Sequence, residues 1–323
     1  MQTIESLHSI IRNAFAELKL PSYPAELYQP ISYTLSLGGK RLRPFLLLAA
    51  TDMFEGNLNE AIHPALAIEL FHNFTLLHDD LMDQAPLRRG KETVYKKWNS
   101  NIAILAGDTM FALANRQMML TRVDAIPQLL ELLNVTAAEV CEGQQFDMNF
   151  ETRSDVTLAE YMEMIRLKTA VLLACSLKTG AVIAGASQRD ADILYHFGIN
   201  IGIAFQLMDD LLDLYSQEEK FGKVKGGDIL EGKKTFLYLK ALELAGSDKE
   251  ELKLLYQSKD LSKEDKISEV RSHFDRLRTR DATILEIHLY WKAAKDTLNN
   301  LSLPEERKTI LLSYCEDLMV REI

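Results

Sequence analysis

Residues 76–83 read Leu-Leu-His-Asp-Asp-Leu-Met-Asp, and 130 positions further on residues 206–213 read Gln-Leu-Met-Asp-Asp-Leu-Leu-Asp. On a helix Asp79 and Asp83 lie at i and i+4 and share a face, while Asp80 sits about 100° around; Asp209, Asp210 and Asp213 repeat the arrangement. Like charges at that spacing cost a helix roughly 0.2–0.5 kcal/mol per pair, and both clusters sit in otherwise apolar runs, so positive charge should compensate them. Carboxylates projecting from helices into a bundle interior suit hard cations with oxygen ligands. Magnesium takes one or two carboxylates and leaves its other positions to water and substrate phosphates. The chemistry indicated is a diphosphate held through magnesium, with Asp79, Asp80, Asp83, Asp209, Asp210 and Asp213 as the candidate metal ligands.

Outward from these clusters, apolar residues recur at helical spacing almost throughout, as in Ile4, Leu7, Ile10, Ile11, Phe15 and Leu18. No stretch reads as a strand. Breaks fall at Pro21–Pro24, Gly38-Gly39, 84–92, Pro127, 151–155, 185–189, 221–234 and 246–249, which leaves about ten helices. Some exceed twenty residues, so the expected fold is an all-α bundle. No linker divides the chain, which predicts one domain over 1–323.

Composition agrees. Gly 15 plus Pro 8 gives 23 of 323 residues, few turn formers for this length, and 47% apolar with 26% charged residues excludes disorder. Lys+Arg 37 against Asp+Glu 47 gives −10, which argues against nucleic acid as a partner and requires local basic clusters for any anionic ligand. Cys141, Cys175 and Cys315 are odd in number and widely spaced, which predicts no disulfide framework and a reducing compartment. With no secretory pattern at the N-terminus and no apolar run of about 18 residues, a cytoplasmic protein without a membrane span is expected.

The basic clusters fall where the helices break. Lys40 and Arg43 lie between Gly38-Gly39 and Pro44, Arg88-Arg89 follow the first acidic cluster, and Lys223, Lys225, Lys233 and Lys234 follow the second. Arg grips phosphate oxygens bidentately and Lys acts as a point charge. Lys168, among Leu167, Ala170, Val171 and Leu172, reads either as a lysine snorkelling at a helix edge or as a charge directed into a site.

Taken in order, these residues resemble the trans-isoprenyl diphosphate synthase, or polyprenyl synthetase, family of farnesyl and geranylgeranyl diphosphate synthases. The resemblance runs through Gly38–Pro44, His78–Asp83 with Arg88-Arg89-Gly90, Ala106-Gly107-Asp108, Gly143-Gln144 with Asp147, Lys168-Thr169, Phe205-Gln206 with the second Asp cluster, and Gly222-Lys223 through Gly232-Lys233 and Thr235. It implies a fold of long antiparallel helices around a deep cavity with an Asp motif on each wall, and a homodimer. It also implies condensation of isopentenyl diphosphate with allylic diphosphates, dependent on three magnesium ions. By the same resemblance Arg88, Lys168 and Lys223 bind the allylic diphosphate with the metals, while Lys40, Arg43, His72 and Arg89 bind isopentenyl diphosphate and Lys233 is a further substrate contact. Thr169 and Gln206, with Lys168, lie near the developing carbocation.

Bulky residues before the first Asp motif form the floor of the prenyl pocket in that family, and here Phe71, Phe74 and Thr75 precede Asp79 by eight, five and four positions. They predict a short product, farnesyl or geranylgeranyl diphosphate; plain core packing of both phenylalanines is the alternative. Lys91-Glu92-Thr93, Tyr95 and Phe236-Leu237 depart from the family pattern and bear on substrate preference and product length. A longer-chain synthase, a class I terpene cyclase and a non-catalytic partner subunit are the competing readings. Two intact Asp motifs and the isopentenyl-side cations count against the last two.

Overall fold

The computed structural model describes residues 2–216 and 226–319. Almost all of it is helix, with Leu58–Met82, Ser100–Met118, Ile126–Thr152, Gln188–Tyr215 and Thr279–Leu298 the longest elements. Sixteen α-helical segments occur among the described residues, more than the ten expected, because several connections contain a short helix of their own, such as Val94–Lys97 and Gly227–Glu231. Pro127 does not break a helix but stands in the first turn of Ile126–Thr152, where its missing N–H costs nothing.

The chain forms two compact units, one of residues 1–135, 175–195 and 301–314, the other of 136–174, 196–300 and 315–323. In the first, Leu58–Met82 is the central helix. Asn57 caps its start by accepting from the Asn59 N–H at 3.1 Å. From Ala65 to Phe71 every residue is buried, the signature of a helix enclosed by others, and only its last turns carry the Asp motif. Ser100–Met118 lies against it so closely that a Cβ on Gly107 would fall 2.1 Å from His78 Nε2.

In the second unit a capping box, Thr157 with Glu160, starts Leu158–Ile165. That helix runs directly into a π-helical turn, Arg166–Ala170. The second half of Gln188–Tyr215 packs on this turn and on the residues after it through glycines. A Cβ on Gly198 would lie 2.4 Å from Ala174 Cα, and one on Gly202 would lie 2.5 Å from Ala170 Cα. The core around this seam includes Tyr161, Ile165, Leu207, Leu211, Phe236, Tyr256 and Phe274.

One element departs from the all-helical expectation. Leu87–Arg88 and Lys91–Glu92 pair as a minimal antiparallel hairpin. Its turn residues Arg89 and Gly90 have φ of 54° and 74°, the doubly left-handed backbone of a tight hairpin turn. A non-glycine at the first of these positions gives no strong sequence signal. No helix among the described residues is long and apolar enough to cross a membrane.

Candidate active site

The first unit gathers the cations and carboxylates of residues 38–93. Three residues of positive φ within four positions, Gly38, Gly39 and Arg41, turn the chain sharply into the helix Leu42–Met53. A Cβ at Gly39 would meet the Arg89 guanidinium at 2.6–2.8 Å and push it aside, and Arg89 donates to the Gly38 carbonyl. Arg41 is tied inward. It donates to Glu69 Oε1 at 2.7 Å and to the Leu35 carbonyl at 2.6 Å, and lies 4.4 Å over the Phe15 ring. The half-buried Arg41 thus holds the turn, while Lys40 beside it is exposed.

Arg43 Nη1 lies 3.1 Å from His72 Nε2. A guanidinium only donates, so His72 accepts at Nε2 and is the neutral, Nδ1-protonated tautomer. Desolvation of the ring, then Arg43, Arg89, Arg88 and Arg41, hold it well below the ordinary histidine value. The hairpin sends Arg88 to the Asp motif: Nε donates to Asp80 Oδ1 at 2.8 Å and Nη2 reaches Asp79 Oδ2 at 3.3 Å. Burial pushes the Asp80 carboxyl up, and Arg88 only partly pulls it back. Asp79 is half-buried and Asp83 exposed.

On the turns preceding Asp79, the rings of Phe71 and Phe74 cluster with that of Phe111 from Ser100–Met118, with centroids 5.5–5.7 Å apart. Phe74 also meets His78 edge-on at 4.9 Å, and Phe71 is fully buried. Thr75 donates to the His72 carbonyl at 2.8 Å, which turns its hydroxyl back onto the helix.

The second unit places the remaining groups. Lys168 and Thr169 stand on the π-helical turn, a deformation that recurs at functional sites. Gly143 permits the turn, because a Cβ there would lie 2.3 Å from the Lys168 amide nitrogen. Lys168 Nζ donates to Asp147 at 2.6 Å. Thr169 Oγ1 donates to Gln206 Oε1 at 2.9 Å, and Gln206 Nε2 donates to Asp210 Oδ1 at 3.0 Å. The Tyr161 hydroxyl donates to Asp210 Oδ2. Burial pushes the Asp210 carboxyl up to about 6 against these donors. Burial and then the Asp210 charge push the Tyr161 phenol well above its ordinary value.

Asp213 caps the segment that follows the second motif, accepting from the Asp228 N–H at 3.1 Å. Asp209 is half-buried. Lys233 Nζ pairs with Glu231 at 3.1 Å, and its carbonyl accepts from Tyr256 at 2.7 Å. Lys223 lies outside the described residues.

Sequence reasoning missed Tyr161 and Tyr256. Tyr161 stands seven residues, about two turns, before Lys168, so a polar-tipped aromatic on the face of a candidate site residue was the available signal. Tyr256 comes from a stretch without any motif, and only the fold brings it under Lys233.

The polyprenyl synthetase profile matches residues 24–274. The geranylgeranyl diphosphate synthase of Methanosarcina mazei is 44% identical over 244 residues, 74% of this chain and 75% of that protein. The enzyme of the same name from Sulfolobus acidocaldarius is 38% identical over 304 residues, 92% of this chain and 91% of that protein. A crystal structure of a geranylgeranyl pyrophosphate synthase superposes with a TM-score of 0.96 at 44% identity, covering 100% of both chains. With the all-α isoprenoid synthase fold and both Asp motifs in place, the chain belongs to the polyprenyl synthetase family as a short-chain trans-isoprenyl diphosphate synthase.

Proposed function

We propose that residues 1–323 act as one catalytic domain that extends allylic diphosphates with isopentenyl diphosphate and stops at geranylgeranyl diphosphate. The observation that carries this reading is the helix Leu58–Met82. Its last turns bear an Asp motif gripped by Arg88, and its preceding turns bear Phe71 and Phe74, which cluster with Phe111 of Ser100–Met118. At 1.5 Å per residue Phe74 lies about 7–8 Å and Phe71 about 12 Å along the axis from Asp79, so rings close a prenyl channel at a fixed depth below the charged head. The relatives named as geranylgeranyl diphosphate synthases support the twenty-carbon product over farnesyl.

The donor set fits magnesium. The two motifs offer only hard carboxylate oxygens, and Asp79, Asp83 and Asp209 keep exposed surface. Of the candidate carboxylates, Asp79, Asp80, Asp83, Asp209 and Asp213 would hold three ions, whose contribution when bound is to neutralise the diphosphate.

The chain's own cations act beside them. Arg88, Lys168 and Lys223 take the allylic diphosphate, and Lys40, Arg43 and Arg89 that of isopentenyl diphosphate, with Lys233 a further contact. The neutral His72 leaves the Arg43 charge undiminished. Donors fixed in advance around a leaving group stabilise charge as it develops, and protein walls exclude the water that would quench a carbocation. The allylic C–O bond breaks, the alkene of isopentenyl diphosphate supplies the electron pair of the new C–C bond, and a proton is lost to the released diphosphate.

The exposed Ile104 and Leu105 on Ser100–Met118 support a second copy of the chain as partner. Cys141, Cys175 and Cys315, none of them in a disulfide, support a cytoplasmic setting.

The test incubates the protein with magnesium, isopentenyl diphosphate and, separately, dimethylallyl, geranyl and farnesyl diphosphates, with products sized by mass spectrometry. A twenty-carbon product is expected from each starter, with loss of activity in Asp79→Ala and longer products from Phe74→Ala. Unchanged length in Phe74→Ala refutes the floor, and a product that stops at fifteen carbons refutes the twenty-carbon assignment.

A further inference from the structure

Gly198, Gly202, Gln206 and Asp210 follow one another at four-residue intervals and so form a single stripe on Gln188–Tyr215. The two glycines bring this stripe onto Ala174 and Ala170, and one and two turns further on the same stripe meets Thr169 and Tyr161 through hydrogen bonds. Every member of the resulting chain is buried or half-buried, and each bond has a definite direction. Asp210, a carboxylate, accepts from the Tyr161 hydroxyl at Oδ2 and from Gln206 Nε2 at Oδ1. With its nitrogen end spent on Asp210, the Gln206 amide presents its carbonyl oxygen to Thr169, so the Thr169 hydroxyl is the donor of that pair. Its proton points to Gln206 and its oxygen lone pairs point elsewhere.

We propose that Tyr161 is a positioning residue that, through Asp210 and Gln206, locks the Thr169 hydroxyl as an acceptor and presents the negative end of its dipole to the positive charge that forms on the allylic fragment. The inference rests on the reading that puts Thr169 beside that fragment. It also gives Asp210 a task different from that of its neighbour Asp209. Both Asp210 oxygens are engaged by donors of the chain, and the carboxylate orients an amide. Without the Tyr161 hydroxyl Asp210 keeps the Phe236 N–H as its only fixed donor beside Gln206, so Gln206 can rotate its amide, and Thr169 is then free to turn its proton toward the developing cation. A fixed dipole of the wrong sign opposes ionisation, and a mobile one must be reorganised during it.

The experiment compares Tyr161→Phe, Thr169→Val, Thr169→Ser and the Tyr161→Phe/Thr169→Val double variant in steady-state elongation, with thermal unfolding and magnesium titration of each. Groups that orient a catalytic partner are typically worth about 10–100-fold when removed. Tyr161→Phe is therefore expected to lower kcat by about that factor, with the half-saturating magnesium concentration and the KM for isopentenyl diphosphate within about twofold of the parent. The double variant should be no slower than Thr169→Val alone, since both substitutions cut the same chain, and Thr169→Ser should keep most of the activity that valine loses. Multiplying effects in the double variant overturn the relay and leave Thr169 in place. A higher magnesium requirement in Tyr161→Phe, without a fall in kcat, overturns it in favour of a metal-holding Asp210. Full activity in Thr169→Val refutes the placement of Thr169 itself, and the relay with it. Should Tyr161→Phe fail to unfold cooperatively, the serine decides: Thr169→Ser as slow as Thr169→Val overturns the proposal.

Discussion

Gly202→Ala is the sharpest test of how packing sets the chemistry. The added Cβ would stand 2.5 Å from Ala170 Cα and 2.6 Å from Ala170 Cβ, where carbon atoms in contact keep about 3.5–4.0 Å. Neither neighbour is the flexible end of a long side chain, so the helix must move back by about 1 Å. Thr169 and Gln206, one turn further along the same face, are joined by a single 2.9 Å hydrogen bond. Opened by the same amount it reaches about 3.9 Å and is lost. In stability the change nearly cancels: overpacking costs about 1–3 kcal/mol, and alanine returns about 1 kcal/mol of helix propensity. In rate it does not cancel, because a displacement of about 1 Å at a reacting group can cost about 10²-fold.

The assay is kcat for elongation beside the melting temperature, with Gly198→Ala as comparison. A Cβ at Gly198 is equally crowded, 2.4 Å from Ala174 Cα, but stands two turns rather than one from Gln206. Gly202→Ala should lose about 10–100-fold in kcat with a melting point only a few degrees lower, and Gly198→Ala should share the loss of stability with a smaller loss of rate. Parent-like kcat in Gly202→Ala, or equal losses in the two variants, would refute the claim that the glycine seam sets the register of the site.

Three further outcomes follow from the first unit. Arg41→Ala leaves Glu69 buried with Asn73 Nδ2 as its remaining donor, and should cost about 3–5 kcal/mol in denaturant unfolding; Arg41→Ala with Glu69→Leu should recover much of it. Gly39→Ala forces the Arg89 guanidinium aside and should raise the KM for isopentenyl diphosphate about tenfold, the worth of one charge-assisted hydrogen bond, with kcat little changed in the steady-state assay. His72 is held neutral in the folded chain, its pKa depressed below the unfolded value near 6.5, so the unfolded state binds the extra proton first. Its contribution to stability is complete above that pH and falls by up to about 1.4 kcal/mol per unit below it. The parent should therefore lose more stability than His72→Gln between pH 7 and pH 5.5, and equal slopes would show that His72 does not titrate apart from the fold.

What the sequence made legible is what a short window can hold. Two carboxylates one helical turn apart in an apolar run declare both a helix and a charge that needs a partner. Gly38-Gly39 before Pro44 declares a turn. The phenylalanines upstream of Asp79 could be counted along an axis without knowing any contact. The groups that fix these residues belong to other windows. Arg41 and Arg43 flank the same leucine and carry the same charge, yet one is tied to Glu69 and Leu35 while the other meets His72, a division made by the left-handed φ of 49° at Arg41 that no composition rule announces. The hairpin was hidden for a like reason: two residues per strand give no period to detect, and the left-handed turn begins at an arginine.

The case of Asp209 and Asp210 shows why the remainder cannot be read along the chain. By residue type the second motif repeats the first, and each of its carboxylates is an equal candidate for a cation. Their environments separate them. Asp80 meets an arginine from a neighbouring hairpin, whereas Asp210 meets a tyrosine from the helix Leu158–Ile165 and an amide one turn back on its own helix. The first pairing leaves a positive group at the carboxylate, able to exchange it for a substrate phosphate. The second surrounds the carboxylate with neutral donors that have no anion to go to. Equal letters thus serve unequal tasks, and the difference lies in Tyr161 and in the glycines that bring it within reach, residues whose significance exists only once two helices touch.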